Sequence, residues 1–143
     1  MPAGARAAVT AAAPVQVVEA LEQQGVSKEQ MVLYWQCLAG VQHLGNVQFD
    51  DKADNATPKA GAAQALANCE HVLGLQSGML AKALTKRKIK AGNEFVEQDM
   101  STVQAIDGRD ALSKAIYSRL FDKLIAQINS ALSMGQESVL VRP

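Results

Sequence analysis

Apolar residues recur every fourth position along the last third of the chain. Leu112, Ile116, Leu120, Leu124, Ile128 and Leu132 form the row, flanked by Ala111, Ala115, Phe121, Ile125 and Ala131. This spacing predicts one long helix from Thr102 to about Met134. Ser101-Thr-Val-Gln104 supplies a capping box at its start, and Gly135 is the expected C-terminal cap. Roughly 33 residues at about 1.5 Å each make a rod near ~50 Å long. A four-residue step overshoots the helical turn, so the stripe winds around the rod and must meet different neighbours along its length. Gly108 costs about 1 kcal/mol against alanine in mid-helix, and nothing else breaks the pattern.

Ahead of that helix the pattern changes to a short β type. Lys82, Lys86, Arg87, Lys88 and Lys90 are the only concentrated charge, and they lead into Gly92-Asn93 and Glu94-Phe-Val96. Glycine and asparagine both tolerate positive φ, which marks a two-residue turn. With the turn there, Ile89 faces Val96 and Lys88 faces Glu97, one apolar and one opposite-charge cross-strand pair. The basic run is either a solvated face or a docking surface. Glu94, Glu97 and Asp99 give the hairpin both signs, which favours an oriented protein contact over simple polyanion binding.

The front of the chain reads as shorter helices. Pro14 to Gln23 carries Val17, Val18 and Leu21 on one side and ends at Gly25. Ser27-Lys-Glu-Gln30 is a second capping box, opening a helix through Met31, Tyr34, Trp35, Leu38, Val41 and Leu44 that stops at Gly45-Asn46. Val47 to Phe49 forms a brief extended piece, and Asp50 to Thr57 reads as a polar surface loop. That loop lacks the glycine and glutamate positions of a calcium-binding loop. Thr57-Pro58 is expected to cap a helix bearing Ala62, Ala65, Leu66, Cys69, Val72 and Leu73 and ending at Gly74. Ser77 is expected to cap a shorter one through Leu80, Ala83 and Leu84. The fold class is mainly α: several short helices, one β-hairpin and one long C-terminal helix, with no internal repeat or inter-domain linker.

Composition narrows the partners. The formal net charge of the 143 residues is +0, so no general field for nucleic acid or a membrane surface exists. No apolar run approaches the ~18 residues of a membrane span. Cys37 and Cys69 lie on apolar helix faces and read as reduced, buried thiols of an intracellular protein. Met1 to Ala13 is alanine-rich, with a single arginine and no acid. It reads as a low-complexity, disordered lead-in rather than an organelle transit peptide; residues 14–143 form one unit.

Catalytic patterns are absent from the sequence. There is no Gly-x-x-x-x-Gly-Lys-Ser/Thr phosphate loop. His43 and His71 have no ligand spacing to each other or to the cysteines, and no local pattern suggests a nucleophile. Asp110 and Asp122, near Lys114 and Lys123, read as surface charges. No residue is a catalytic, cofactor-binding or metal-binding candidate.

The stretch Asp110-Ala-Leu-Ser-Lys-Ala-Ile-Tyr-Ser-Arg-Leu-Phe-Asp-Lys-Leu-Ile-Ala-Gln-Ile-Asn129, preceded by Gly92-Asn-Glu-Phe-Val96, resembles the myosin motor domain. Gly25-Val-Ser-Lys-Glu-Gln30, His43-Leu-Gly-Asn46, Val72-Leu-Gly-Leu75 and Ala83-Leu-Thr-Lys-Arg87 are similar to earlier segments of that family, in order. The likeness covers roughly residues 15 to 134. It implies a fragment, a truncated product or partial gene model, of the larger α/β motor fold, lying between the two nucleotide switch segments. It would form part of the upper side of the actin-binding cleft, with the hairpin as the cardiomyopathy loop. The resemblance implies actin contacts at Lys86, Arg87, Lys88, Lys90 and Glu94. Glu94 occupies a position that is either an acid or a phosphorylatable Ser/Thr in the family, so an acid here implies a loop competent without phosphorylation. Lys123 replaces a usual tryptophan, Gln42 a usual apolar residue and Ser113 a common alanine.

ATP and Mg would serve the complete motor and not this chain, which lacks the phosphate loop and both switches and would be inactive alone. Val139-Leu140 would begin the next strand. The implied partners are the actin filament and the remainder of a motor domain, in a cytoplasmic, cytoskeleton-associated setting. The alternative is a stand-alone helical actin- or protein-binding module without ATPase activity.

Overall fold

The structure, a computed structural model, describes residues 15–52 and 55–140. The expectations for Met1 to Ala13 and for Pro14 lie outside them. The elements in order are α1 (Val15–Gln23), α2 (Lys28–Gly45), β1 (Phe49–Lys52), β2 (Asn55–Pro58), α3 (Ala62–Leu73), α4 (Met79–Thr85), β3 (Lys86–Ala91), β4 (Glu94–Asp99) and α5 (Thr102–Leu140). The fold is mainly α, as the periodicity predicts.

Both capping boxes form. At α2 the Gln30 amide donates to Ser27 Oγ at 3.2 Å and the Ser27 amide to Gln30 Oε1 at 3.0 Å. At α5 the Gln104 amide donates to Ser101 Oγ at 3.3 Å and the Ser101 amide to Gln104 Oε1 at 3.1 Å. Each box satisfies two amides that the helix itself leaves without partners.

Several expectations give way where distant groups compete with local signals. Within the Asp50 to Thr57 stretch β1 and β2 pair antiparallel, the first of two strand pairs in chain order, with Phe49 opposite Pro58, Asp50 opposite Thr57 and Asp51 opposite Ala56. Thr57 is therefore not a helix cap: its hydroxyl donates to the Asp50 carbonyl at 3.4 Å. Pro58, at the strand's end, needs no ladder donor, and α3 begins later, behind Gly61. Ser77 does not cap α4 either, because Gly78, at φ +80°, takes that position. The buried Glu70 carboxylate reaches across from α3 and accepts from the Gly78 amide at 2.9 Å and the Leu80 amide at 2.8 Å.

Gly135 does not end the last helix. α5 runs 39 residues to Leu140, so Val139 and Leu140 are helical rather than extended. One glycine costs about 1 kcal/mol, too little to stop a helix already propagating.

The main core joins Leu44 of α2, Val47, Phe49 and Ala56 of the first hairpin, Leu66 and Cys69 of α3, Leu80 and Leu84 of α4, and Ala105 of α5. α2 and α3 approach closely at Gly40, where an added Cβ would sit 2.7 Å from Leu73 Cδ2. Cys69 donates from Sγ to the Gly40 carbonyl at 3.4 Å in the same contact. A smaller cluster of Val26, Met31 and Tyr34 gathers Val18 and Leu21 of α1 with Leu120 and Leu124 of α5. The winding stripe thus serves two cores in succession: Ala105, Ile106, Leu112 and Ile116 pack on the first, Leu120 and Leu124 on the second.

Glu70→Ala strands two amides and is expected to cost about 2–3 kcal/mol in urea unfolding. Glu70→Gln, which keeps one acceptor oxygen, should recover part of that loss.

Candidate protein-docking hairpin

β3 and β4 pair in the register that the sequence predicts, with Lys88 opposite Glu97 and Ile89 opposite Val96. Gly92 sits at φ +64°, a left-handed conformation that favours glycine over other residues. All twelve strand residues are exposed.

The root of the hairpin is fixed through one residue. The Met100 amide donates to the Thr85 carbonyl, and the Met100 carbonyl accepts from the Ala56 amide, both at 2.8 Å. Both hairpins are thereby tied to the entry of α5. Thr102 Oγ1 adds a hydrogen bond to Asp51 Oδ1 at 2.9 Å.

The register divides the side chains between two faces, because cross-strand partners share a face and successive residues alternate. Lys86, Lys88, Lys90, Phe95, Glu97 and Asp99 lie on one; Arg87, Ile89, Ala91, Glu94, Val96 and Gln98 lie on the other. The five candidate residues therefore do not form one patch. Lys86, Lys88 and Lys90 belong to the first face, Arg87 and Glu94 to the second. Glu94 adjoins the Gly92-Asn93 turn and Lys90 lies two residues before it, which makes them the candidates nearest the tip.

Their charges are also unequal. Lys86 Nζ lies 2.8 Å from Asp99 Oδ1. That hydrogen bond, then the Asp99 charge, hold the ammonium above its ordinary value. Arg87 donates from Nε at 3.1 Å and Nη2 at 2.8 Å to Gln98 Oε1, which orients the guanidinium without neutralising it. Lys88, Lys90 and Glu94 make no ion pair among the described residues; Lys88 still feels the Glu97 carboxylate across the strands, so Lys90 and Glu94 are the least compensated.

Two further residues shape the element. Lys82 of α4 meets Glu97 Oε1 at 2.7 Å, tying β4 to the helix beneath. Its hydrogen bond, then its charge, hold the Glu97 carboxyl below the ordinary glutamate range, with weaker help from Lys86 and Lys88. Phe95 is 72% exposed, the most exposed large apolar side chain described. Sequence reading passed over it, although the two-residue alternation already places it opposite Lys90.

Elsewhere the structure revises smaller readings. Asp110, read as a surface charge, is half exposed and pairs with Arg109 at 2.7 Å. Arg109, largely buried, also donates from Nη1 to the Val47 carbonyl at 2.7 Å. Cys69 is buried as expected and its thiol is pushed up to about 11, chiefly by burial. Cys37 is only half-buried. No described helix is long and apolar enough to cross a membrane.

The hairpin is thus an exposed, mixed-charge element fixed on a helical base. Comparison with known proteins gives its lineage: the chain belongs to the myosin head (motor domain) family, whose model matches residues 10–141. It is 39% identical over 122 residues to Myosin-1 of Arabidopsis thaliana, covering 84% of this chain and 10% of that protein. Unconventional myosin ID of Drosophila melanogaster is 38% identical over 113 residues, 79% of this chain and 11% of its own. Unconventional myosin-Vc of Homo sapiens is 39% identical over 98 residues, 68% of this chain and 6% of its own. The chain thus spans about a tenth of the length of these relatives or less.

The Lys82–Glu97 tether should have a defined acid limit. The folded Glu97 value is depressed, so the contact is complete above the unfolded glutamate value and is lost as pH falls through the folded one. The Glu97 side-chain carboxyl resonance is expected to titrate below the ordinary glutamate range, and to move up towards it in Lys82→Met.

Proposed function

We propose that this chain is an actin-contacting segment of an ATP-driven myosin motor, with the β3–β4 hairpin as its contact. The observation that carries the reading is a fully exposed hairpin anchored at its root and by a lateral ion pair, in a chain of this family. Anchoring lowers the ordering cost of docking. Unpaired Lys88 and Lys90 supply attraction for an acidic filament surface, and Phe95 beside them supplies an apolar anchor. Glu94, at the turn, requires no phosphorylation to carry its negative charge.

Nucleotide chemistry is not assigned to these residues. The sequence contains no phosphate loop to cradle ATP, so ATP and Mg²⁺ are assigned to other segments of a complete motor. The outer part of α5 supports a place within a larger body: Phe121, Ile125, Leu132 and Met134 are all exposed apolar residues. Phe121, Ile125 and Leu132 share one face of the helix, and such a row is costly in water and typical of a surface that another segment covers. The remainder of a motor domain is the partner proposed for it, in a cytoskeleton-associated setting. A self-contained binding module draws support from the closed main core, in which Leu44, Val47 and Cys69 are fully buried.

Co-sedimentation of the purified chain with filamentous actin tests the contact. Binding should weaken as salt rises, and Lys88→Glu/Lys90→Glu should weaken it by about tenfold or more. Binding that ignores both salt and the double reversal would remove the hairpin from the interface.

A further inference from the structure

Away from the hairpin, α2, α4 and α5 border an open apolar groove of about 720 Å³. It is lined by Leu112, Ile116 and Leu120 of α5, by Leu33 and Cys37 of α2 and by Ala83 of α4. Its polar lining comprises Gln30 and Tyr34 of α2 and, on α5, the two cations Arg119 and Lys123. Both are exposed and neither makes an ion pair among the described residues.

We propose that this groove binds a small apolar monocarboxylate, a hydrocarbon or aromatic body carrying one carboxylate. The volume falls within the usual range of small-molecule sites, which are mostly apolar with a few placed polar groups. The lining supplies the apolar part almost alone. Arg119 and Lys123 stand four residues apart on one helix, where like charges repel modestly. A carboxylate between them would relieve that repulsion, whereas a neutral body would leave it and a cation would add to it. A multiply charged anion fits poorly, since it brings little surface for the apolar walls. The inference does not depend on the actin reading.

Cys37 provides a built-in reporter. The chain has 2 cysteines. The other, Cys69, is fully buried and its thiol is raised to about 11, so it reacts slowly with alkylating agents at neutral pH. The rate of Cys37 alkylation by iodoacetamide therefore reads occupancy of the groove. Decanoate, kept below its micelle-forming concentration, is expected to slow that rate in a saturable manner, and decanol at equal concentration to do so far less. Arg119→Gln/Lys123→Gln should weaken the decanoate effect by roughly tenfold while leaving the decanol effect unchanged. Ala83→Trp, at an exposed wall position, should fill the groove and remove protection by both, with circular dichroism confirming that each variant keeps its helix content. Equal protection by decanol and decanoate, an unchanged decanoate effect in the double glutamine variant, or no protection would each overturn the proposal. So would protection that rises with protein concentration alone, which would make a second copy of the chain the occupant.

Discussion

The burial of one end of α5 governs the rest of the molecule. Ala105 is fully enclosed by the first hairpin and α4, and Ile106, Leu112 and Ile116 extend the same contact. Around this apolar seam the polar groups find fixed partners. Arg109 reaches the Val47 carbonyl, Thr102 reaches Asp51, and Met100 holds a backbone group of each hairpin. Removing the seam would free both hairpins at once, because neither two-stranded unit has a hydrophobic face sufficient for independent stability. The far half of α5 has no such enclosure, and its outward apolar residues mark where a neighbour is needed.

The second hairpin turns that rigidity into a surface. Its internal ladder neutralises the charges nearest the base, Lys86 with Asp99, while Lys82 draws Glu97 towards α4. The charges nearest the turn, Lys90 and Glu94, have no such partner among the described residues, and Lys88 has only the cross-strand field of Glu97. This gradient orients a partner towards the tip, since paired surface charges contribute little and unpaired ones are free to meet an opposite field. Division of the strand residues between two faces then limits which of them could meet one partner together.

Elements with strong local periodicity or capping chemistry were legible in the sequence: α2, α5 and the β3–β4 hairpin, including its register. Elements determined from a distance were not. β1 and β2 carry mostly polar residues, so the alternation that marks a half-buried strand is missing. The start of α4 depends on Glu70, eight residues before Gly78, and no adjacent residue announces it. The site was legible in composition and only partly in arrangement. The basic run was plain, and the register that the turn predicts already sets Arg87 and Glu94 on the face away from the lysines, a consequence the composition alone does not show. Only tertiary contacts show that Lys86 is already paired. The family resemblance read from the Asp110–Asn129 stretch agrees with the family match, whereas the role of individual hairpin residues rests on physical argument.

Zero-length carbodiimide cross-linking to filamentous actin, followed by peptide mapping, tests the central claim most directly, because it joins only an ammonium and a carboxylate already in contact. The account predicts cross-links from Lys88 and Lys90 to actin carboxylates, with Lys86 held back by Asp99. Cross-links confined to lysines outside the hairpin, such as Lys114 or Lys123, would contradict it.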